Sequence, residues 1–194
     1  MKTILGILTV AILFIGSTSA QTTLTLNNEN SNLTWVGRKV VGEHSGTIDL
    51  LKGFLILNKK NITSGEINVD MNSLKNTDMQ GEWSDKLVVH LKSDDFFGTD
   101  KFPIATFNIE RITPKSADNY VASGSLTIKG ITNPISFPVQ IFNTKSNLQV
   151  KGTANVDRTL YGVKYGSSSF FDSLGDKAIE NLFELSFDIN IKTK

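Results

Sequence analysis

The stretch Phe183-Glu-Leu-Ser-Phe-Asp-Ile-Asn-Ile-Lys192 near the C-terminus decides the fold class. Its apolar residues occupy every second position, and polar residues fill the positions between them. Because successive side chains of a β-strand point to opposite faces, this period of two predicts a strand with one buried and one solvated face. The rest of the chain must supply the core against which the apolar face packs.

The same alternation recurs ahead of this stretch. It predicts further strands at residues 33–35, 44–57, 65–71, 102–109, 122–128, 135–141 and 147–155. Turns rich in Asn and Gly separate these segments. Strands that follow one another every ten to fifteen residues or so favour a sandwich or a barrel. The sequence therefore predicts an all-β domain.

One segment departs from this alternation. Trp83, Leu87 and Leu91 recur four residues apart within residues 82–92, the spacing of one face of a helix. A second short helical turn is predicted at residues 175–181. We expect both to be crossings or plugs of the β structure. No internal repeat and no Pro-, Gly- or Ser-rich linker divides the chain.

Composition limits the classes of function. The chain has 194 residues, which suits one domain, and 39% of them are hydrophobic. The net charge of +1 gives no field that would attract nucleic acid, so no nucleic-acid partner is expected. The absence of cysteine excludes disulfides, thiolate nucleophiles and Cys-ligated metal centres.

The first twenty residues are typical of a secretory signal peptide. Lys2 precedes an apolar run over residues 4–15, and small residues follow up to Ala20. The run is shorter than the roughly 20 residues that span a bilayer. We expect cleavage after Ala20, a domain over residues 21–194 with no transmembrane segment, and a location in the periplasm of a Gram-negative bacterium.

The sequence offers few groups for catalysis. Its two histidines are His44 and His90, and no Gly-x-Ser-x-Gly or Ser-x-x-Lys motif is present. His90 and Asp94 are four residues apart and could share a helix face as metal ligands. Two ligands do not complete a site, so no metal and no catalytic residue is expected. Arg158 is either a surface arginine beside a turn or a contact for a polar ligand head in a cavity mouth.

Seven blocks, in order, carry a family resemblance. They are Ser31-Asn-Leu-Thr-Trp-Val-Gly37, His44-Ser-Gly-Thr-Ile48, Gly65-Glu-Ile-Asn-Val-Asp-Met71, Leu87-Val-Val-His-Leu-Lys-Ser-Asp-Asp-Phe-Phe97, Lys101-Phe-Pro-Ile-Ala-Thr-Phe107, Gly124-Ser-Leu-Thr-Ile-Lys-Gly-Ile-Thr-Asn-Pro-Ile-Ser-Phe-Pro138 and Asp157-Arg-Thr-Leu-Tyr-Gly-Val-Lys-Tyr165. Together they resemble the YceI-like family of periplasmic, lipocalin-like proteins that bind polyisoprenoids. The segment 164–181 departs from the family pattern, which affects the contacts expected for a ligand head group.

The resemblance implies an extended antiparallel, lipocalin-like β-barrel of about eight strands with one or two short helices and a long apolar tunnel. It also implies a non-catalytic binding or carrier protein that holds an isoprenoid quinone or a similar long-chain, fatty-acid-like lipid, with no other cofactor. Two alternatives stay open: a lipid-modifying enzyme that uses His90 and Asp94, and a stress-induced secreted interaction module with a filled core. A homodimer is also left open.

The alternation and the resemblance together predict which residues line the tunnel. The expected lining is Trp35, Phe54, Met71, Leu87, Leu91, Phe97, Phe107, Phe137, Phe170 and Phe183, with Arg158 as a head-group contact. A shift of one residue in register would exchange the two faces of any of these strands.

Overall fold

The structure is a computed structural model that describes residues 21–26, 30–59, 61–144 and 146–193. The predicted signal peptide, residues 1–20, lies outside the described residues. The elements, in chain order, are β1 Gln21–Thr25, β2 Asn32–Lys39, β3 Glu43–Asn58, β4 Asn61–Asn76, α1 Glu82–Lys92, β5 Ile104–Ser116, β6 Asn119–Ile128, β7 Ile131–Asn143, β8 Asn147–Asp157 and β9 Ile179–Lys192.

Strands β2 to β9 form a closed antiparallel barrel. Each strand pairs with its neighbour in the order β3-β2-β9-β8-β7-β6-β5-β4, and the pairing of β3 with β4 closes the ring. The eight-stranded barrel predicted from the sequence is confirmed. The short β1, which the sequence did not predict, pairs with residues 54–58 of β3, whereas β2 pairs with residues 43–48 of the same strand. Strand β1 therefore extends the barrel wall beside the last residues of β3, which β2 does not reach.

The barrel is long because its strands are long. Strands β3 and β4 have 16 residues each, which at the usual rise corresponds to about 50 Å of extended chain. Their pairing changes register at three places, between Thr47 and Asp49, between Leu50 and Lys52, and between Ile56 and Leu57. Such bulges increase the local twist and allow a long ribbon to curve into a barrel.

Helix α1 has the predicted bounds and lies across one end of the barrel, between the end of β4 and the start of β5. Glu82 and Asp85 occupy its first turn, and Lys92 its last, as the helix dipole favours. Leu91 is buried, whereas Trp83 is 72% exposed. We call this the helix end of the barrel and the other the opposite end.

The second predicted helical turn is shorter than expected. A single 3-10 turn spans Gly175–Lys177, because β9 begins at Ile179. Another 3-10 turn, Arg158–Tyr161, follows β8, and its start is capped by the side chain of Asp157, which accepts from the amide of Thr159. Among the described residues, no helix has the length and apolar character needed to cross a bilayer.

Candidate functional site

A cavity of about 230 Å³ lies inside the barrel, and all eight barrel strands and α1 contribute to its lining. A single buried water needs only about 10–15 Å³ on a comparable measure, so this space is far larger than a packing defect. The barrel interior is therefore hollow.

The lining follows the alternation along the strands. On β9 the inward residues are Phe183, Leu185, Phe187 and Ile189, which form the apolar face of the stretch that predicts the fold. On β7 the inward residues are Ile135, Phe137, Val139 and Ile141. The same side chains that would fill a solid core in a smaller barrel here form the wall of the cavity.

Aromatic rings pack against each other along this wall. The ring centroids of Phe107 and Phe137 are 5.2 Å apart, and those of Phe137 and Phe187 are 5.8 Å apart. The ring of Phe187 lies over Gly152, where a Cβ would fall 2.7 Å from its Cζ. Glycine at position 152 is therefore needed to seat the ring against the wall.

Trp35 illustrates how a polar atom is accommodated in this apolar wall. Its indole lines the cavity, is 9% exposed, and donates from Nε1 to the carbonyl of Lys75 at 3.1 Å. The indole covers Gly46, where a Cβ would lie 2.7 Å from the ring and 1.8 Å from the same carbonyl. Trp35 therefore presents only its apolar ring to the cavity.

The cavity differs in polarity between its two ends. Among the described residues, all charged or imidazole side chains that line the cavity belong to the helix end: Arg38, Lys39, His44, His90, Arg158 and Glu180. Towards the opposite end the wall is aliphatic, with Leu26, Ile62, Ile112, Ile141, Val150 and Ile189. An amphiphile in this cavity would place its polar group at the helix end.

Three contacts with carboxylates hold Arg38 and His44 at this end. The Arg38 guanidinium contacts Glu43 at 3.1 Å and Glu184 at 2.8 Å. His44 Nδ1 lies 2.9 Å from Asp78, whose carboxylate also accepts from the amide of Ser45. Burial opposes ionisation of Asp78, but the hydrogen bonds from His44, Ser45 and Asn76 outweigh it, so the pKa of Asp78 is lowered.

Arg158, the residue expected from the sequence to contact a ligand head group, lines the cavity at the helix end and also has a structural role. It is 2% exposed, and its guanidinium donates to the carbonyls of Val163, Tyr165, Ile179 and Glu180 at 2.8–3.0 Å. Burial lowers the pKa of Arg158, while Asp157 opposes this effect. Four of the five guanidinium donors are thus used to join the segment after β8 to the start of β9.

The structure places eight of the ten residues predicted for the tunnel in the cavity lining: Trp35, Met71, Leu87, Leu91, Phe97, Phe107, Phe137 and Phe183. Phe54 and Phe170 lie elsewhere. Phe54 is 37% exposed on the outer face of β3, because its neighbour Leu55 is the inward residue. Phe170 is 47% exposed in the loop before β9, with the Lys164 ammonium 4.7 Å from its ring centre.

Other residues of the cavity wall were not predicted from the sequence. Phe187 and Leu185 share the inward face of β9 with Phe183, so the alternation itself could have identified them. Phe96 also lines the cavity and is 6% exposed, with its ring centroid 5.1 Å from that of Phe97. No periodic pattern marks Phe96, because it lies in the turn after α1.

His90 and Asp94 do not form a common site. The His90 ring packs against Tyr165, with centroids 4.4 Å apart, and its Nε2 is buried without a hydrogen-bond partner among the described residues. Asp94 is exposed and pairs with Lys101 at 2.5 Å, a contact that lowers the pKa of Asp94. Within the described parts of the chain, no three His, Asp or Glu side chains are grouped as metal ligands would be.

Comparison with known proteins identifies the family of this chain. The sequence model of the YceI-like domain family matches residues 24–191. The chain belongs to the YceI-like domain family. A UPF0312 protein of Staphylococcus aureus (strain bovine RF122 / ET3-1) is 41% identical over 86 residues, and another from strain USA300 is 40% identical over the same length. Each match spans 41% of this chain and 47% of the relative, so it covers about half the length of these curated proteins.

Three solved structures share the fold at low sequence identity. BcnA of Burkholderia cenocepacia has a TM-score of 0.68 at 17% identity, with 85% of this chain and 98% of that chain covered. A polyisoprenoid binding domain from Saccharophagus degradans has a TM-score of 0.62 at 14% identity, covering 91% and 100%. The Campylobacter jejuni YCEI protein has a TM-score of 0.56 at 17% identity, covering 96% and 91%.

Proposed function

We propose that this YceI-like protein is a non-catalytic carrier that holds one isoprenoid quinone or similar long-chain amphiphilic lipid in its barrel. The observation that carries the proposal is the cavity itself, which is aliphatic and aromatic along its length and has its charged side chains at the helix end. This polarity matches a ligand with a long hydrocarbon tail and one polar head.

The free energy gained by burying such a tail is large enough for useful binding affinity. Each buried methylene contributes roughly 0.8 kcal/mol, so about ten of them contribute roughly 8 kcal/mol. Association and ordering cost several kcal/mol of this, which a long tail exceeds and a short one does not. Few polar contacts are then required, in keeping with a wall that has most of its polar groups already paired.

The relatives and the N-terminal sequence support the compound class and the location. A domain of similar fold, from Saccharophagus degradans, is described as polyisoprenoid-binding. The apolar run at residues 4–15 followed by small residues favours export, and we place the mature protein in a periplasm. There it would carry lipid between membranes or between a membrane and an enzyme.

Extraction tests the proposal. The protein is purified without detergent, extracted with organic solvent, and the extract is analysed by mass spectrometry; the emptied protein is then offered a long-chain quinone. We expect a lipid in the extract or uptake of the added quinone. An empty extract together with no uptake would refute the carrier function.

A matched pair of variants locates the binding site. Phe187→Ser adds a hydroxyl to the cavity wall, whereas Phe54→Ser makes the same change on the outer face of the barrel. We expect reduced lipid content only for the first variant. Equal lipid content in the two variants would contradict binding inside the barrel.

Substitutions at His90 and Asp94 test separately whether the protein is an enzyme. His90 is the one cavity-lining side chain among the described residues with a buried, unpartnered nitrogen, so an enzymatic role would be expected to involve it. A carrier should keep its lipid unchanged in mass when His90→Ala and Asp94→Ala are introduced. Conversion of the bound lipid by the unmodified protein, lost in His90→Ala, would favour the enzyme.

A further inference from the structure

The wall of the cavity is interrupted between β2 and β9. Their pairing runs without a break to Gly37 and Phe183 and resumes only at Lys39 and Ile179. Three residues of β9, numbers 180–182, therefore face one residue of β2. At this mismatch the regular backbone pairing of the two strands is lost.

The cavity reaches the surface at the same place. Among the described residues that line it, only Lys39, Glu180 and Leu182 are exposed. Gly37 also lines the cavity here, and a Cβ built on it would meet nothing within 4 Å. We call the gap bounded by Gly37, Lys39, Glu180 and Leu182 the portal.

Exposed apolar side chains gather around the portal. With the exception of Leu51 and Phe54 on β3, every large apolar side chain that is strongly exposed in the described residues belongs to the helix end. Those nearest the gap, which we call the portal rim, are Val40, Val41, Tyr165, Phe170, Phe171 and Leu182, with exposures of 47–67%.

Hydrogen bonds join the segments of the portal rim into one surface. The amide of Val40 donates to the carbonyl of Ala178, and the amide of Ile179 donates to that of Gly166. Beyond these, the hydroxyl of Ser167 donates to the side chain of Asn181, directly before Leu182. The rim is therefore a continuous surface around the opening and not a set of unrelated loops.

The segments of the portal rim carry no excess of positive or negative charge. Lys39, Lys164 and Lys177 lie on the same segments as Asp172, Asp176 and Glu180, so the charges balance. A partner recognised by charge would need an excess of one sign. A lipid surface that receives apolar side chains requires no such excess.

We propose that the portal rim docks on a lipid bilayer, so that a lipid passes between the membrane and the cavity through the gap between β2 and β9. This rests on the proposed carrier function. A tail that leaves the bilayer at this point moves from one apolar environment into another, without crossing water. Phe170 and Phe171 enter the interfacial region, and Leu182 connects that region with the cavity wall.

Vesicle flotation tests the proposal. Protein expressed from the full sequence is mixed with vesicles of phosphatidylcholine, which has no net charge, and the fraction that floats is measured against lipid concentration. Phe170→Ser/Phe171→Ser is compared with Leu51→Ser/Phe54→Ser, which removes two exposed apolar side chains from β3, outside the portal rim. All three proteins share the same N-terminal sequence, so that segment cannot cause a difference between them.

We expect the rim variant to need about tenfold more lipid for half-maximal binding, or still more, and the wall variant to match the unmodified protein within about twofold. Weak dependence on salt is expected as well. Equal binding by the rim variant, or no flotation of the unmodified protein, would overturn the docking proposal. Extraction of the rim variant separates the two proposals, since a variant that has lost flotation but retains its lipid leaves the carrier function intact.

Discussion

Substitution of Gly37 by leucine is expected to stabilise the protein. Gly37 lies in β2 and lines the cavity, its backbone is outside the positive-φ region, and a Cβ added there would meet nothing within 4 Å. Replacing glycine in a compatible backbone contributes about 0.4–1 kcal/mol by restricting the unfolded chain. The four carbons of leucine add about 1.6 kcal/mol if half of their area is buried, at 0.8 kcal/mol per carbon.

The total of about 2–2.5 kcal/mol corresponds to a rise in melting temperature of about 4–10 °C for a chain of this size. Calorimetry on lipid-extracted protein measures it directly. The same side chain narrows the portal, so quinone uptake by the variant should be slower than by the unmodified protein.

Gly46→Ala is the control on the neighbouring strand. A Cβ at Gly46 would lie 1.8 Å from the carbonyl of Lys75, so this smaller change should lower the melting temperature. A lower melting temperature for Gly37→Leu, or equal tolerance of both substitutions, would refute the reasoning, because the space at the portal would then not exist.

Three other substitutions test contacts at the site. Arg158→Met removes four hydrogen bonds from a buried guanidinium to backbone carbonyls and should lower the free energy of unfolding by more than about 3 kcal/mol in urea titrations; an unchanged midpoint would contradict the structural role. Asp78 has a lowered pKa, so its carboxylate stabilises the fold above the unfolded-state pKa of about 3.9 and loses this effect as the pH falls through the folded-state value. The urea midpoint of Asp78→Asn should therefore lie below that of the unmodified protein at pH 7 and approach it at pH 3. A difference in midpoint that persists at pH 3 would contradict this role of the Asp78 carboxylate. Phe187→Ala should lower the free energy of unfolding by about 3 kcal/mol, the lower end of the range for buried phenylalanine, because one side of the ring already faces the cavity. A decrease of about 5 kcal/mol would indicate a filled interior.

Periodicity in the sequence was sufficient for much of this fold. The alternation over residues 183–192 identifies the inward face of β9, and the four-residue spacing of Trp83, Leu87 and Leu91 identifies helix α1. Both signals are local, since they depend only on which side chains share a face. The strand β1 carries too weak an alternation to be detected in the same way.

Contacts between distant segments could not be read from the sequence. Bulges between β3 and β4 change the register along these strands, so the face of Phe54 does not follow from simple counting. The four carbonyls that accept from Arg158 belong to residues 163–180, and only the folded chain brings them around one guanidinium. Alternation is also the same for a solid and a hollow barrel, because it says which side chains point inward and not how much space lies between them.

The pairing of β1 fixes the geometry of attachment to a surface. Gln21 pairs with Asn58, and Lys192 pairs with Asn147, so the described chain begins and finishes at the opposite end of the barrel. With β3 and β4 extending over about 50 Å, Gln21 and Lys192 are far from the gap between β2 and β9. A biosensor chip or bead that captures the protein through a C-terminal tag would therefore leave this gap facing the solution, and vesicles passed over such a surface would reach it unobstructed.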